Sequence, residues 1–207
     1  MSARTIYPIS LSIIHEEHLH LAAVIQGMQY FVRAIDDGAI APDLKVFRAM
    51  LFYISEYPER VHHPKEEKFL FAKIRDRTHQ LDQDLDKLSE QHAQGAFLLH
   101  RLQHALLRYE FFGATEFIAF RDKALQYCQF YYEHMRTEET LIMPVARQVL
   151  NDQDWREVDT AFLENRAELD QEGERYRYEQ LFSLIVNIAP PPIGVGEELN
   201  NDNTEPT

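Results

Sequence analysis

Apolar residues recur at three- and four-residue steps through four long stretches of this 207-residue chain, a spacing that amphipathic helices satisfy and strands do not. From Ser10 to about Asp36 the stripe is Leu11, Ile14, Leu21, Ala22, Ile25 and Val32, with AspAspGly at 36–38 as a stop. The second begins after Pro42 and Asp43 with Phe47, Met50, Leu51 and Ile54 and resumes at Phe69, Leu70 and Ile74. Pro58 and Pro64 fall inside it, so it is expected to kink or break there. The third runs from Leu81 through Leu85, Leu88, Ala96, Leu99, Leu102 and Leu106 to about Tyr109. The fourth spans about Thr115 to Leu150 through Phe117, Phe120, Ala124, Tyr127, Tyr131, Leu141 and Val145. A fifth helix, N-capped by Asp152 or Asp154, is expected over about 153–188 through Trp155, Phe162, Leu169 and Tyr176, ended by ProProPro at 190–192. The expected fold is all-α: an up-down-up-down four-helix bundle over about residues 10–150 with an additional C-terminal helix, in one domain of residues 1–188. Residues 189–207, acidic and rich in Asn, are expected to be a disordered tail.

Composition narrows the partners. A net charge of −13 without a basic cluster excludes nucleic acid as an expected ligand. No stretch is long and apolar enough for a membrane span, and the N-terminus lacks the apolar core and cleavage site of a signal peptide. The lone Cys128 rules out an intramolecular disulfide and a CxxC pair, so the cytoplasm is the expected compartment and Cys128 is read as a small buried side chain.

The ten histidines, about twice ordinary usage, are the anomaly. His18 sits in the first apolar stripe between Ile14 and Leu21, and His92 in the third between Leu88 and Ala96. In the fourth, His134 and Glu138 follow Tyr131 on the same face. HHPKEEKFLFA at 62–72 echoes HMRTEETLIMP at 134–144, so that His62 aligns with His134 and Glu66 with Glu138. Each His-x-x-x-Glu pair places a nitrogen and an oxygen on one helix face. The echo favours His62 and Glu66 over His63 and Glu67 as the inward pair. Two buried carboxylates among four histidines need a common partner, and a metal pair supplies it; with no thiolate nearby the donors suit iron, manganese or zinc.

EEHLHLAAVI around His18, HHPKEEKFLF, EQHAQG around His92, and HMRTEETLIMP together resemble the hemerythrin-like proteins with the HHE cation-binding domain over roughly residues 10–150. The resemblance implies a non-haem di-iron centre bridged by two carboxylates and an oxygen atom. Carried over, the ligands of the two iron ions are His18, His62, Glu66, His92, His134 and Glu138. Oxygen-carrying members have a further histidine four residues beyond the one at His92; here that position is Ala96. Four histidines with two glutamates is similar to the centre of the di-iron iron-sulfur repair proteins, whose usual N-terminal cysteine-bearing domain has no counterpart in this sequence. The implied function is binding or sensing of oxygen, peroxide or nitric oxide, with no catalytic residues assigned. A di-iron redox enzyme reducing peroxide or nitric oxide with a separate electron donor, a repair-type iron donor, and a structural metal-binding bundle are the alternatives. A homodimer is left open. His15, His20, His63, His79, His100 and His104 are read as ordinary residues, His15 with a second reading as support for His18, and Tyr131 as core packing or a donor beside a bound ligand.

Overall fold

In the computed structural model, residues 8–38, 43–171 and 173–196 are described, of 165–171 and 174–176 the backbone alone, and every regular element among them is helical. Pro8 precedes α1 (Ile9–Asp36), and Asp43 caps α2 (Leu44–Glu56) by accepting the Lys45 amide at 2.8 Å. The chain then stays helical through both prolines. A π-helical turn (Pro58–His62), the short α3 (His63–Lys65), a second π turn (Glu66–Phe71) and α4 (Ala72–Arg77) follow one another. The expected break is thus a widening. A proline cannot donate, and its ring crowds the carbonyl four residues back. Ahead of Pro64 and Pro144 the preceding residue reaches back five positions, His63 N–H donating to Pro58 O and Met143 N–H to Glu138 O, whereas Tyr57, ahead of Pro58, reaches back four to Tyr53 O. α5 (Asp82–Phe112) is followed by a 3-10 turn (Gly113–Glu116), α6 (Phe117–Thr137), a third π turn (Glu138–Ile142) and α7 (Met143–Val149).

The apolar core is in two parts. One holds Leu21, Ile25, Met28, Phe47, Ile54, Leu99, Leu102, Phe120 and Tyr127. The other holds Leu11, Ile14, Leu70, Ile74, Leu85, Leu88, Ile142 and Ala146. Between them each helical run contributes inward polar side chains: the buried His18 in α1, His62 and Glu66 in the α2–α4 run, and His134 and Glu138 across α6 and its π turn, with the largely covered His92 in α5. α1 and α5 travel from the second cluster to the first, and the other two runs from the first to the second.

The expected fifth helix is two, α8 (Asp152–Gln171) and α9 (Glu174–Ile188), parted at Gly173, whose φ of 71° is the left-handed conformation that glycine adopts without a Cβ clash. Of its predicted apolar positions, Phe162 is buried and Trp155 packs at the edge of the second cluster, while Leu169 and Tyr176 lie outside the described side chains. The cap is also one residue earlier than expected. Asn151 Oδ1 accepts the amides of Gln153 and Asp154 at 2.8 and 3.0 Å, and Asp154 returns the bond by accepting the Asn151 amide at 2.9 Å. Asp154 takes a two-pronged contact from Arg77 as well, both distances 2.8 Å, and Asp159 accepts from the Ser10 amide and hydroxyl, which ties α8 to α4 and α1. α9 places Ile185 against the first cluster. The first residues of the expected tail fold back instead of trailing: Val195 N–H donates to Val186 O and Gly196 N–H to Ala189 O, both at 2.9 Å. Residues 197–207 of that tail lie outside the described residues. No described helix is long and apolar enough to cross a membrane.

Asn151→Ala is expected to lower the stability to urea by about 1 kcal/mol, and Asp154→Ala by about 2 kcal/mol because the Arg77 bonds go with the cap. Equal losses in the two variants would show that the Arg77 fork adds nothing.

Candidate metal centre

The six side chains singled out in the sequence meet in the polar layer, and their inward atoms are close. His18 Nε2 lies 3.1 Å from His62 Nε2, and His92 Nε2 lies 3.2 Å from His134 Nε2. Glu138 lies between these pairs, with Oε2 3.3 Å from His18 Nε2 and Oε1 3.2 Å from His134 Nε2. Glu66 Oε2 is 3.5 Å from His62 Nε2 and 3.7 Å from His92 Nε2. The donor atoms fall into two overlapping groups, His18, His62, Glu66 and Glu138, and Glu66, His92, His134 and Glu138, each within 4.8 Å. Both carboxylates belong to both groups.

Each of the four histidines is held from behind. Nδ1 of His62 donates to Glu17 at 2.5 Å, that of His92 to Glu67 at 2.8 Å, that of His18 to Glu139 at 3.1 Å and that of His134 to Gln91 Oε1 at 3.1 Å. A neutral ring whose Nδ1 carries the proton presents a lone pair at Nε2, so all four direct Nε2 toward the same point, where a cation would take the place of any proton there. Glu17 is further held by the Tyr57 hydroxyl at 2.6 Å and Lys65 Nζ at 2.9 Å.

His63, read from the sequence as an ordinary residue, joins the cluster. It is 3% exposed, groups with His92 and His134, and stacks on His92 with centroids 4.2 Å apart and planes 15° apart. In a regular α-helix neighbours point about 100° apart. The π turn ending at His62 presents both His62 and His63 to the core. Neither nitrogen of His63 has a hydrogen-bond partner. Ala96 is exposed, so the extra imidazole on the His92 side comes from the His62–Glu66 run and not from α5.

The buried groups of the layer shift one another strongly. Burial and the neighbouring Glu138 push Glu66 well above the usual carboxylate range. Burial would raise Glu138 too, but His134, His18 and His92 hold it well below. His18 is driven up to about 10, because the nearby Glu138 carboxylate and the bond to Glu139 outweigh the burial that would lower it. His62 is pushed down to about 4, chiefly by burial and despite Glu17. All four oxygens of Glu66 and Glu138 are buried without a hydrogen-bond partner. An unpaired buried carboxylate costs on the order of several kcal/mol, so this arrangement fits a cation between the donors.

The hemerythrin HHE cation-binding domain profile matches residues 10–146. The chain belongs to this family. No curated protein and no solved structure matched it. Membership in the hemerythrin HHE family implies metal-ion binding, and the two His/Glu clusters are compatible with it.

Glu17, Glu139 and Gln91 were not singled out in the sequence, and Glu67 was weighed there only as an alternative inward carboxylate. A signal for two of them was present: both echoed motifs read Glu-Glu, and the second glutamate of each, Glu67 or Glu139, holds the lone histidine of another helix. His15 touches Glu139 at 3.4 Å, one remove from His18. His79, His100 and His104 are exposed and His20 half-buried, away from the cluster. Cys128 is buried, donating weakly to Ile25 O.

Tyr131 lies beside His63 and donates to Glu59, whose carboxylate burial pushes upward. The room is made by Gly95, where a Cβ would collide with the Tyr131 hydroxyl and come within 3.2 Å of Glu59 Oε1. Gly95→Ala should therefore destabilise the protein by about 1–3 kcal/mol in denaturant unfolding, despite alanine's better helix propensity. Adding Tyr131→Phe should restore part of the loss. A Gly95→Ala protein as stable as the wild type would contradict this packing.

Proposed function

We propose that this chain is an up-down-up-down four-helix bundle holding two non-haem iron ions, and that it binds or senses dioxygen, peroxide or nitric oxide. The observation that carries the reading is the set of four partnerless oxygens on Glu66 and Glu138, faced by Nε2 atoms that are each oriented from behind. The alternating travel of the four runs between the two apolar clusters supports the topology.

In this reading His18 and His62 hold one ion, His92 and His134 with His63 hold the other, and Glu66 and Glu138 are shared. The donor set is nitrogen and oxygen, which suits iron; the choice over manganese or zinc rests on the resemblance to di-iron members. When bound, an iron pair supplies electrons and open coordination for a diatomic ligand. The chain's own part is to fix the imidazoles and keep water out. Glu17, Glu67, Glu139 and Gln91 lock the rings in place, and the faces of Phe71 and Tyr131 lie against His92 and His63 at 5.9 and 5.8 Å.

Elemental analysis of the purified protein should give about two irons per chain, with a visible charge-transfer band appearing when the reduced sample meets air. Zinc alone, and a spectrum indifferent to air after reconstitution with iron, would overturn the proposal in favour of a structural metal site. His62→Ala and His134→Ala should each lose most of the metal, and His63→Ala should lose part of it. Undiminished metal in all three would refute the ligand assignment. Metal-free protein gives an independent readout: Glu66→Gln should raise its stability at neutral pH by about 1–3 kcal/mol, because the wild-type carboxyl is held protonated by burial and must take up a proton on folding, while abolishing the stabilisation that added iron confers on the wild type.

A further inference from the structure

Behind the Glu17 support of His62 lies a cavity of about 260 Å³, closed on one side by α9, which is outside the segment that matches the family. Its floor is charged and buried. Glu17 and Lys65 are 8% and 4% exposed, and the hydrogen bond to Glu17 uses one of the three donors of the Lys65 ammonium. Its walls are aromatic: Tyr53 and Tyr57 from the α2 side face Phe182 of α9, with Tyr53 and Phe182 centroids 5.9 Å apart. At its mouth stand the exposed carboxylates of Glu16 and Glu179.

These features select a ligand by charge and shape. An anion would meet the buried carboxylate of Glu17 and the chain's net negative charge, and a cation would meet the ammonium of Lys65. A neutral molecule meets neither objection. Aromatic walls favour a flat ring, and the ammonium favours an oxygen acceptor at the inner end. The volume admits one or two fused rings. The floor also adjoins the centre: Glu17 Oε1 faces Lys65 while its Oε2 accepts from His62 Nδ1, so one carboxylate separates the cavity from an inward-facing imidazole.

We propose that this cavity binds a neutral quinone of one or two rings, with a carbonyl oxygen accepting from Lys65 and the ring lying against Tyr53, Tyr57 and Phe182. The choice of a redox-active aromatic carbonyl over an inert one rests on the proposed iron centre; the shape and charge argument does not. The site gives α9 a task, since Phe182 and Ser183 close it.

The test is calorimetric titration of the full-length protein as purified with 2,3-dimethyl-1,4-naphthoquinone, with metal content measured on the same sample. The expected result is one site per chain, with affinity at least about tenfold above that for 2,3-dimethylnaphthalene, which has the same rings and no oxygen. Ser183→Trp, which fills the cavity from the exposed face of α9 and leaves Glu17 and Lys65 untouched, should weaken binding by at least about tenfold with an unchanged circular dichroism spectrum. Absence of binding, equal affinity for the hydrocarbon, or undiminished binding by Ser183→Trp would overturn the proposal. The two readings fail separately: iron without quinone binding removes the cavity proposal alone, and quinone binding in a sample that takes up no iron removes the iron centre alone.

Discussion

Two glutamates buried in the middle of an apolar core, Glu66 and Glu138, dictate the rest of the arrangement. A carboxylate in such a place is normally answered by the protein's own donors or by protonation. Here neither oxygen of either residue has a hydrogen-bond donor. The available Nδ1–H groups point away from them, to Glu17, Glu67, Glu139 and Gln91, and the chain turns lone pairs toward the carboxylates instead. That is a poor solution for stability and a good one for a cation. The cost is met by the two apolar clusters that bracket the polar layer, each fed by residues of all four helical runs.

The layer is built on a repeated motif that is then broken. His62-x-x-x-Glu66-Glu67 and His134-x-x-x-Glu138-Glu139 do the same work: a histidine and a glutamate face inward, and the next glutamate steadies the lone histidine of a partner helix. Both motifs are followed or interrupted by proline, and both adopt π turns, in which the widened ring of hydrogen bonds accommodates a residue that cannot donate. The number of turns differs. Both motifs begin a π turn at the glutamate, Glu66 or Glu138, but the first has another that ends at His62, which brings His63 inward as well; in the second, Met135, the residue after the histidine, is left to pack among apolar residues. One side of the cluster thereby gains a third imidazole, and the two donor groups are unequal in a chain whose motifs are nearly alike.

Much of this was legible in the amino-acid order because helices carry a strict period. Histidines at positions 18, 92 and 134 stand where the period demands an apolar residue, and the echo of 62–72 with 134–144 selects Glu66 and Glu138; the structure brings all six side chains together. What escaped was what breaks the period. A π turn shifts the phase by one residue, so His63 could not be placed from spacing alone, and Pro64 announced the irregularity without its direction. The split of the last helix depended on Gly173, one glycine in an otherwise helical pattern, and the Asn151 cap on a choice among three neighbouring polar residues that all suit the role. The supports of the histidine rings escaped for another reason. Glu17, Glu67 and Gln91 lie among many charged and polar positions of the helix surfaces, and only the crossing of helices decides which of them meets an imidazole.

The segment that matches the family ends at residue 146, yet the centre leans on the two helices beyond it. α8 places Val158 and Phe162 in the second apolar cluster, and the Phe162 ring lies 5.1 Å from the Lys65 ammonium. Lys65 in turn holds Glu17, and Glu17 holds His62. Buried charges are held in place by whatever excludes water from them, because the same ion pair in water contributes little. α8 and α9 supply that exclusion on the Glu17 side, through Phe162 over Lys65 and through Tyr178 against Tyr57, 4.8 Å between centroids. The orientation of one inward imidazole therefore depends on the C-terminal helices, and a chain shortened to the family segment would present His62 to a carboxylate that water can reach.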